Sequence, residues 1–283
     1  MTPEIREKLR AFGTELTPGM LGGTQELYRA LQPGLPSHAV VTRDLFYGPH
    51  ARNRLDVFTR DDGLTNAPVL VFVHGGGFVM GDKTTEGSPF YDNIGAFAVD
   101  SGYVGVTITY RLAPEVTWPA GGEDVALAVD WLRENIAQYG GNPDRIVVMG
   151  QSAGAVHVAD YVARFSPKVA GAIMCSGLYN VASAEANQFQ KAYYGEDAAG
   201  YGQASSVAGL IQSKTPMLMT VCEFDPVDFQ RQAADFVSRY TTARNAFPRL
   251  HWLHGHNHLS PVLEIGAPDS DLERYITEFI AAL

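Results

Sequence analysis

The chain has 283 residues, 46% of them hydrophobic and 18% charged, which suits one large packed domain and excludes wholesale disorder. The 21 basic and 31 acidic residues leave a net charge of −10 with no basic run, which argues against a nucleic-acid partner and weakly favours a neutral substrate. Two cysteines, Cys175 and Cys222, each lie in an apolar run, so they read as buried free thiols rather than a disulfide framework.

In chain order, Ile5, Leu9, Phe12 and Leu16 fall on one helical face, and residues 2–32 read as helical. Thr17-Pro18-Gly19 breaks that run, residues 25–31 suit a second short helix, and residues 33–37 read as a linker. The N-terminal stretch is charged throughout, and no window approaches 18 uninterrupted apolar residues. A cytoplasmic protein without a membrane span is therefore expected.

Residues 40–48 and 53–60 read as a β-hairpin. Residues 68–73, 103–110, 144–150, 169–177 and 215–225 are Val- and Ile-rich or otherwise apolar, without alternation, the pattern of strands buried on both faces. Residues 249–255 form a last strand. Helical periodicity fills residues 88–102, 122–140, 152–165, 228–244 and 271–283, the last with Leu272, Ile276, Phe279 and Leu283 as its stripe. Strand and helix alternate, so the fold class is α/β with a mostly parallel, doubly wound sheet. Residues 178–214, rich in Ala, Gly and Ser, interrupt the alternation and read as a small helical cap. The expected organisation is N-terminal helices at 1–37 contributing to the cap, and a catalytic domain at 38–283 that carries the cap insertion.

Gly150-Gln151-Ser152-Ala153-Gly154 stands between a predicted strand and a predicted helix. GxSxG in that context is a nucleophile elbow, a turn so tight that it drives the serine hydroxyl out at a helix N-terminus. His74-Gly75-Gly76-Gly77-Phe78 follows the strand at 68–73. Three glycines let successive amides converge on one point, as an oxyanion hole requires; the lysine and hydroxyl residue of a phosphate loop are missing. His74 reads as a tie within this loop.

These motifs, with Tyr110-Arg111-Leu112-Ala113-Pro114-Glu115, Trp118-Pro119-Ala120 and Glu123-Asp124 between them, resemble the hormone-sensitive-lipase-like esterases of the α/β-hydrolase superfamily. The resemblance runs at motif level from about residue 69 to 165. It implies oxyanion donors at Gly76, Gly77 and Ala153, and a scaffold role for residues 110–115. Gln151 departs from it, since the family usually has Asp or Glu before the nucleophile.

The superfamily order is serine, acid, histidine. Asp225-Pro226 after the strand at 215–225 is similar to the family's acid turn, with Asp228 and Glu223 as rivals. The resemblance implies His258 as base, in Gly255-His256-Asn257-His258-Leu259, with His254 as the competing assignment; His251 reads as a packing residue. His254, His256 and His258 would share a face if the strand continued, but Gly255 and Asn257 suggest a turn and no carboxylate is interleaved, so no catalytic metal is expected.

The expectation is a serine carboxylesterase of catalytic residues Ser152, Asp225 and His258, acting without a cofactor on a small-molecule ester with a short acyl chain or an aryl group. Phe78, Trp118, Tyr193 and Tyr194 are candidate substrate-lining residues. A homodimer is compatible with the resemblance. An amidase such as an arylformamidase would use the same triad. A binding protein that kept the fold and lost the chemistry is the reading from a different class.

Overall fold

A computed structural model of the chain describes residues 1–165 and 167–283. Two helices, α1 (Pro3–Phe12) and α2 (Pro18–Arg29), precede a hairpin of β1 (Ala39–Phe46) and β2 (Arg54–Arg60). Then follow β3 (Ala67–Val73), α3 (Asp92–Asp100), β4 (Val104–Ile108), α4 (Ala120–Asn135), β5 (Gly141–Gln151) and α5 (Ala153–Arg164). The second half runs β6 (Gly171–Cys175), the short helices α6 (Gln188–Tyr194), α7 (Tyr201–Ala204) and α8 (Val207–Gln212), and β7 (Met217–Phe224). It closes with α9 (Val227–Arg244), β8 (Leu250–Asn257), α10 (Ser260–Leu263) and α11 (Asp271–Ala281).

The strands form one 8-stranded sheet in the order β1-β2-β4-β3-β5-β6-β7-β8. β1–β2 and β2–β4 pair antiparallel and all the other neighbours pair parallel, as the alternating pattern predicts. The two faces explain the unbroken apolar runs. Val69, Val71 and Val73 of β3 point into a core shared with Val125 and Leu132 of α4, Val158 of α5 and Phe236 of α9. Leu70 and Phe72 of the same strand enter a second core with Leu9, Met20, Ile94, Phe97, Ile276 and Phe279 from α1, α2, α3 and α11. A strand covered on both faces has no polar side, so its sequence shows no period of two.

Three local readings are revised. Thr17-Pro18 is the beginning of α2 rather than a break: the Thr17 side chain accepts from the Met20 amide, and Pro18 occupies the first helical position. The second helix therefore starts well before residue 25. β8 also continues through Asn257, because Gly255 takes a φ of +81° and the register against β7 shifts there. The chain bulges at the expected turn and goes on pairing.

The N-terminal helices pack beside the end of β8. A side chain at Gly255 would meet Arg6, and the Asn257 amide donates to Thr24 Oγ1 at 2.8 Å. α6 lies over the His74–Phe78 loop, with Phe189 against Gly77 and Tyr193 stacked on Phe78. Among the described residues no helix is long and apolar enough to cross a membrane.

Candidate active site

The site lies at the carboxyl ends of the parallel strands, where open α/β sheets place their ligands. Ser152 follows β5 with φ +54° and ψ −120°, a left-handed strain for a residue with a side chain. The turn closes this tightly because its flanks carry no side chains: a Cβ on Gly150 would strike the Gly154 carbonyl, and one on Gly154 would strike the Val73 carbonyl. The Ser152 amide is fixed to the Cys175 carbonyl at 2.9 Å, and its side chain is partly exposed at the N-terminus of the 12-residue α5. That terminus favours negative charge.

The loop after β3 turns sharply at Gly76, whose φ is +131° and whose Cβ would collide with the Met80 carbonyl. The Gly76 carbonyl in turn accepts from the Met80 amide at 3.1 Å. The Gly76 and Gly77 amides donate to no acceptor among the described residues, and the Ala153 amide, first in α5, has no intrahelical acceptor. His74 is wholly buried and stacked on Tyr110 at 4.4 Å, while the Tyr110 hydroxyl donates to the His74 carbonyl at 2.9 Å. Burial pushes the His74 imidazole down to about 4, so it stays neutral and ties the loop.

Asp225 stands after β7, fully buried. One carboxylate oxygen meets His258 Nδ1 at 2.6 Å. The other accepts from the Ser176 hydroxyl at 2.7 Å and the Cys222 amide at 2.6 Å. A buried carboxyl group with this many donors is held in one orientation. His258 Nε2 is buried without a hydrogen-bond partner among the described residues, and the Phe229 ring lies 4.3 Å from the imidazole. Gln151 Nε2 donates to the His258 carbonyl at 2.9 Å, which holds the histidine loop against the elbow. Ser152 Oγ itself makes no hydrogen bond among the described residues; such contacts are often loose before substrate arrives.

The rival residues face elsewhere. Glu223 accepts from the Gly255 amide and contacts His254 Nδ1, both at 2.7 Å, so the competing acid and competing base pair with each other. The His254 side chain is 50% exposed. Asp228 caps no catalytic group and accepts from the Glu185 amide at 3.0 Å. His251 stacks on Tyr275 at 3.8 Å, and His256 lies buried against Ser260 and Glu264. The bulge at Gly255 thus sends the crowded histidines into separate surroundings, and no group of ligating side chains suited to a metal occurs among the described residues.

The comparisons extend this picture. Residues 55–192 match the BD-FAE family model. Esterase LipQ of Mycobacterium tuberculosis (strain ATCC 25618 / H37Rv) is 42% identical over 125 residues, 43% of this chain and 28% of that protein. Carboxylesterase NlhH of the same strain is 40% identical over 107 residues, 38% of this chain and 32% of that protein. The chain therefore spans about a third or less of the length of these curated relatives. Esterase B from Lactobacillus Rhamnosis superposes over 99% of this chain and 95% of its own, with a TM-score of 0.77 at 15% identity. An esterase from the bacterial hormone-sensitive lipase family superposes over 100% of this chain and 97% of its own, with a TM-score of 0.70 at 19% identity. The chain has the α/β-hydrolase fold of these esterases.

In this fold the four aromatic residues expected to line the pocket form one cluster between the loop and α6. Phe78 and Tyr193 stack at 4.6 Å and are closed to solvent, so they join α6 to the loop. Tyr193 also accepts from the Gly121 amide at 2.9 Å. Tyr194 packs edge-on to Phe78, and Trp118, half-buried, lies under the Arg164 guanidinium at 4.7 Å. Other aromatic residues lie closer to Gly77 and His258. Phe189 of α6 lies over Gly77, where a Cβ would meet its ring at 3.2 Å, and Phe229 covers His258. Ser176 was missed too, although a hydroxyl at the end of a buried strand next to the acid's strand is a usable signal. Phe189 and Phe229 carried none, since nothing local distinguishes them from cap and helix packing.

Proposed function

We propose that this chain is a serine carboxylesterase acting on short-chain or aryl carboxylic esters. The observation that carries the reading is the buried Asp225–His258 pair at 2.6 Å, whose loop Gln151 ties to the strained Ser152 elbow. His258 takes the proton as Ser152 Oγ attacks the ester carbonyl. Asp225 holds the imidazole in the Nδ1–H tautomer and stabilises the imidazolium. Gly76, Gly77 and Ala153 amides receive the oxyanion, each such donor being worth about 3 kcal/mol in comparable sites. The alcohol leaves with the proton from His258, and water deacylates Ser152 by the same route. The chemistry draws on side chains and amides of this chain and calls for no cofactor.

In this reading residues 178–214 are the cap and residues 1–37 its flank. The Phe189 and Phe229 rings, one over the oxyanion loop and one on the base, favour flat or short acyl and leaving groups over long flexible ones. A cytoplasmic location and a homodimer belong to the same proposal and rest on the sequence reading alone. The relatives named esterases support ester over amide substrates.

The test is hydrolysis of a p-nitrophenyl ester series from acetate to palmitate, with the matched anilides in parallel. Turnover highest at short chains and lost in Ser152→Ala is expected. Faster turnover of the anilides would select the amidase. No turnover together with no labelling by a serine-directed fluorophosphonate would select a binding protein.

A further inference from the structure

Gln151 is the one residue at which the elbow departs from the resemblance stated above, and its side chain is almost wholly buried, at 2% exposure. It touches three separate segments. Its Nε2 donates to the His258 main-chain carbonyl at 2.9 Å. Its Oε1 lies so close to Gly75 that a Cβ there would collide with it, while the same Cβ would meet the Gln151 carbonyl and Ser152 Cβ at 3.2 Å each. Its own backbone is the end of β5, paired with Cys175 of β6.

The histidine loop has other anchors, but they face away from the nucleophile. Asn257 donates to Thr24 on α2, and its Oδ1 accepts from the Leu259 and Ser260 amides. On the nucleophile's side the anchor is Gln151. We propose that Gln151 is a positioning residue for the base: its amide holds the His258 backbone in register with Ser152 and the oxyanion loop, and the contact requires a neutral donor.

The chemistry of the contact decides why an amide serves there. A carbonyl oxygen only accepts, and of the isosteric pair Gln and Glu only the amide always offers hydrogens. A carboxylate at this point would set two acceptors against each other in a buried place, and a buried polar group without a partner is costly. It would donate only while protonated. The titratable groups around it are His258 and Asp225 on the base side, His74 on the glycine loop and Cys175 on β6. Burial holds His74 neutral, so it does not compensate the charge.

This inference rests on the serine-hydrolase reading, so its test uses two readouts. The full chain and the variants Gln151→Leu and Gln151→Glu are assayed from about pH 5 to 9, both for p-nitrophenyl butyrate turnover and for the rate of labelling by a fluorophosphonate. Gln151→Leu should lower kcat and the labelling rate about tenfold at every pH with KM changed less than about twofold, as loss of one hydrogen bond felt through the base. Gln151→Glu should approach native rates at the acid end, where the introduced carboxyl donates, and fall away as it ionises. The native profile should instead rise to a plateau. Recovery on acidification within one variant also shows that its fold is intact. Native rates in both variants, or a pH-independent loss in Gln151→Glu, would overturn the proposal. If the native chain labels but hydrolyses no ester, the esterase reading fails and the labelling profiles alone decide the role of Gln151.

Discussion

Replacing Asp225 by Asn should disable the site while leaving it folded, and the reason lies in the main chain of β7. The carboxylate has two inequivalent sides. Oδ1 meets His258 Nδ1 at 2.6 Å, and Oδ2 receives the Cys222 amide at 2.6 Å and the Ser176 hydroxyl at 2.7 Å. An asparagine must put its NH2 on one of them. On the Oδ2 side it would face the Cys222 N–H, a donor that cannot rotate away, and two donors would stand at hydrogen-bond distance with no acceptor. The NH2 therefore takes the Oδ1 side and donates to His258 Nδ1. The imidazole proton is then forced onto Nε2, where it blocks acceptance of the Ser152 proton. A forced wrong tautomer of this kind costs about 10⁴ in kcat, which is about 5 kcal/mol of transition-state stabilisation. Initial rates on p-nitrophenyl butyrate, normalised to correctly folded protein, measure it, and KM should hardly move. Nitrogen NMR of the His258 ring reads the tautomer directly. An Asp225→Asn enzyme with more than about a tenth of native kcat, or with its proton still on Nδ1, would refute the reasoning.

Ser176→Ala removes a charge-assisted hydrogen bond from a buried carboxylate and should cost about 2 kcal/mol of stability; an unchanged urea midpoint would contradict this. His258→Ala should abolish ester turnover, whereas His254→Ala, at a half-exposed residue paired to Glu223, should keep it near native; the reverse pattern would move the base. Acid should destabilise the fold well before the carboxylates protonate. His74 and His157 are buried and pushed down to about 4 and about 3, with burial the main cause for both. Unfolded, each takes up a proton near its usual 6.5 while the folded chain does not, so stability present above 6.5 is lost as the pH falls towards 4. The loss amounts to about 3 kcal/mol for each imidazole by pH 4. The buried carboxyls of Asp124, Asp160 and Glu264, raised mainly by burial, act in the opposite sense at the lower end of this range. Urea midpoints between pH 7 and 4.5 should therefore fall in the native protein and fall less in His157→Leu; equal slopes would refute the assignment.

The sheet was legible because burial on both faces leaves Val69–Val73 and its neighbours apolar without interruption, a pattern written locally. The elbow was legible for a similar reason, since Gly150 and Gly154 answer to atoms within a few residues or on the adjacent strand. The beginning of α2 was not. Threonine followed by proline is both a helix breaker and a helix start, and only the residues after it decide which. Gly255 was read as a turn because a left-handed glycine serves a bulge as readily, and the choice depends on the partner strand β7. Within the site, the missed contacts reach far along the chain, Ser176 to Asp225 and Phe229 to His258, and Gln151, singled out in the sequence, finds its partner at a carbonyl 107 positions away. Side chains whose meaning lies in such partners leave no periodic trace.

The short helices α6 to α8 all belong to one continuous stretch between β6 and β7, whereas Ser152, Asp225 and His258 hang from β5, β7 and β8. Gln232 of α9 pins the root of that stretch, accepting from the Tyr179 and Asn180 amides and donating to the Asn180 carbonyl. In the proposed reading the chain thus keeps reaction and recognition on separate inheritable parts. A whole cassette between two fixed joints can be lengthened, shortened or exchanged, changing which molecules enter while the reacting groups stay where the sheet holds them.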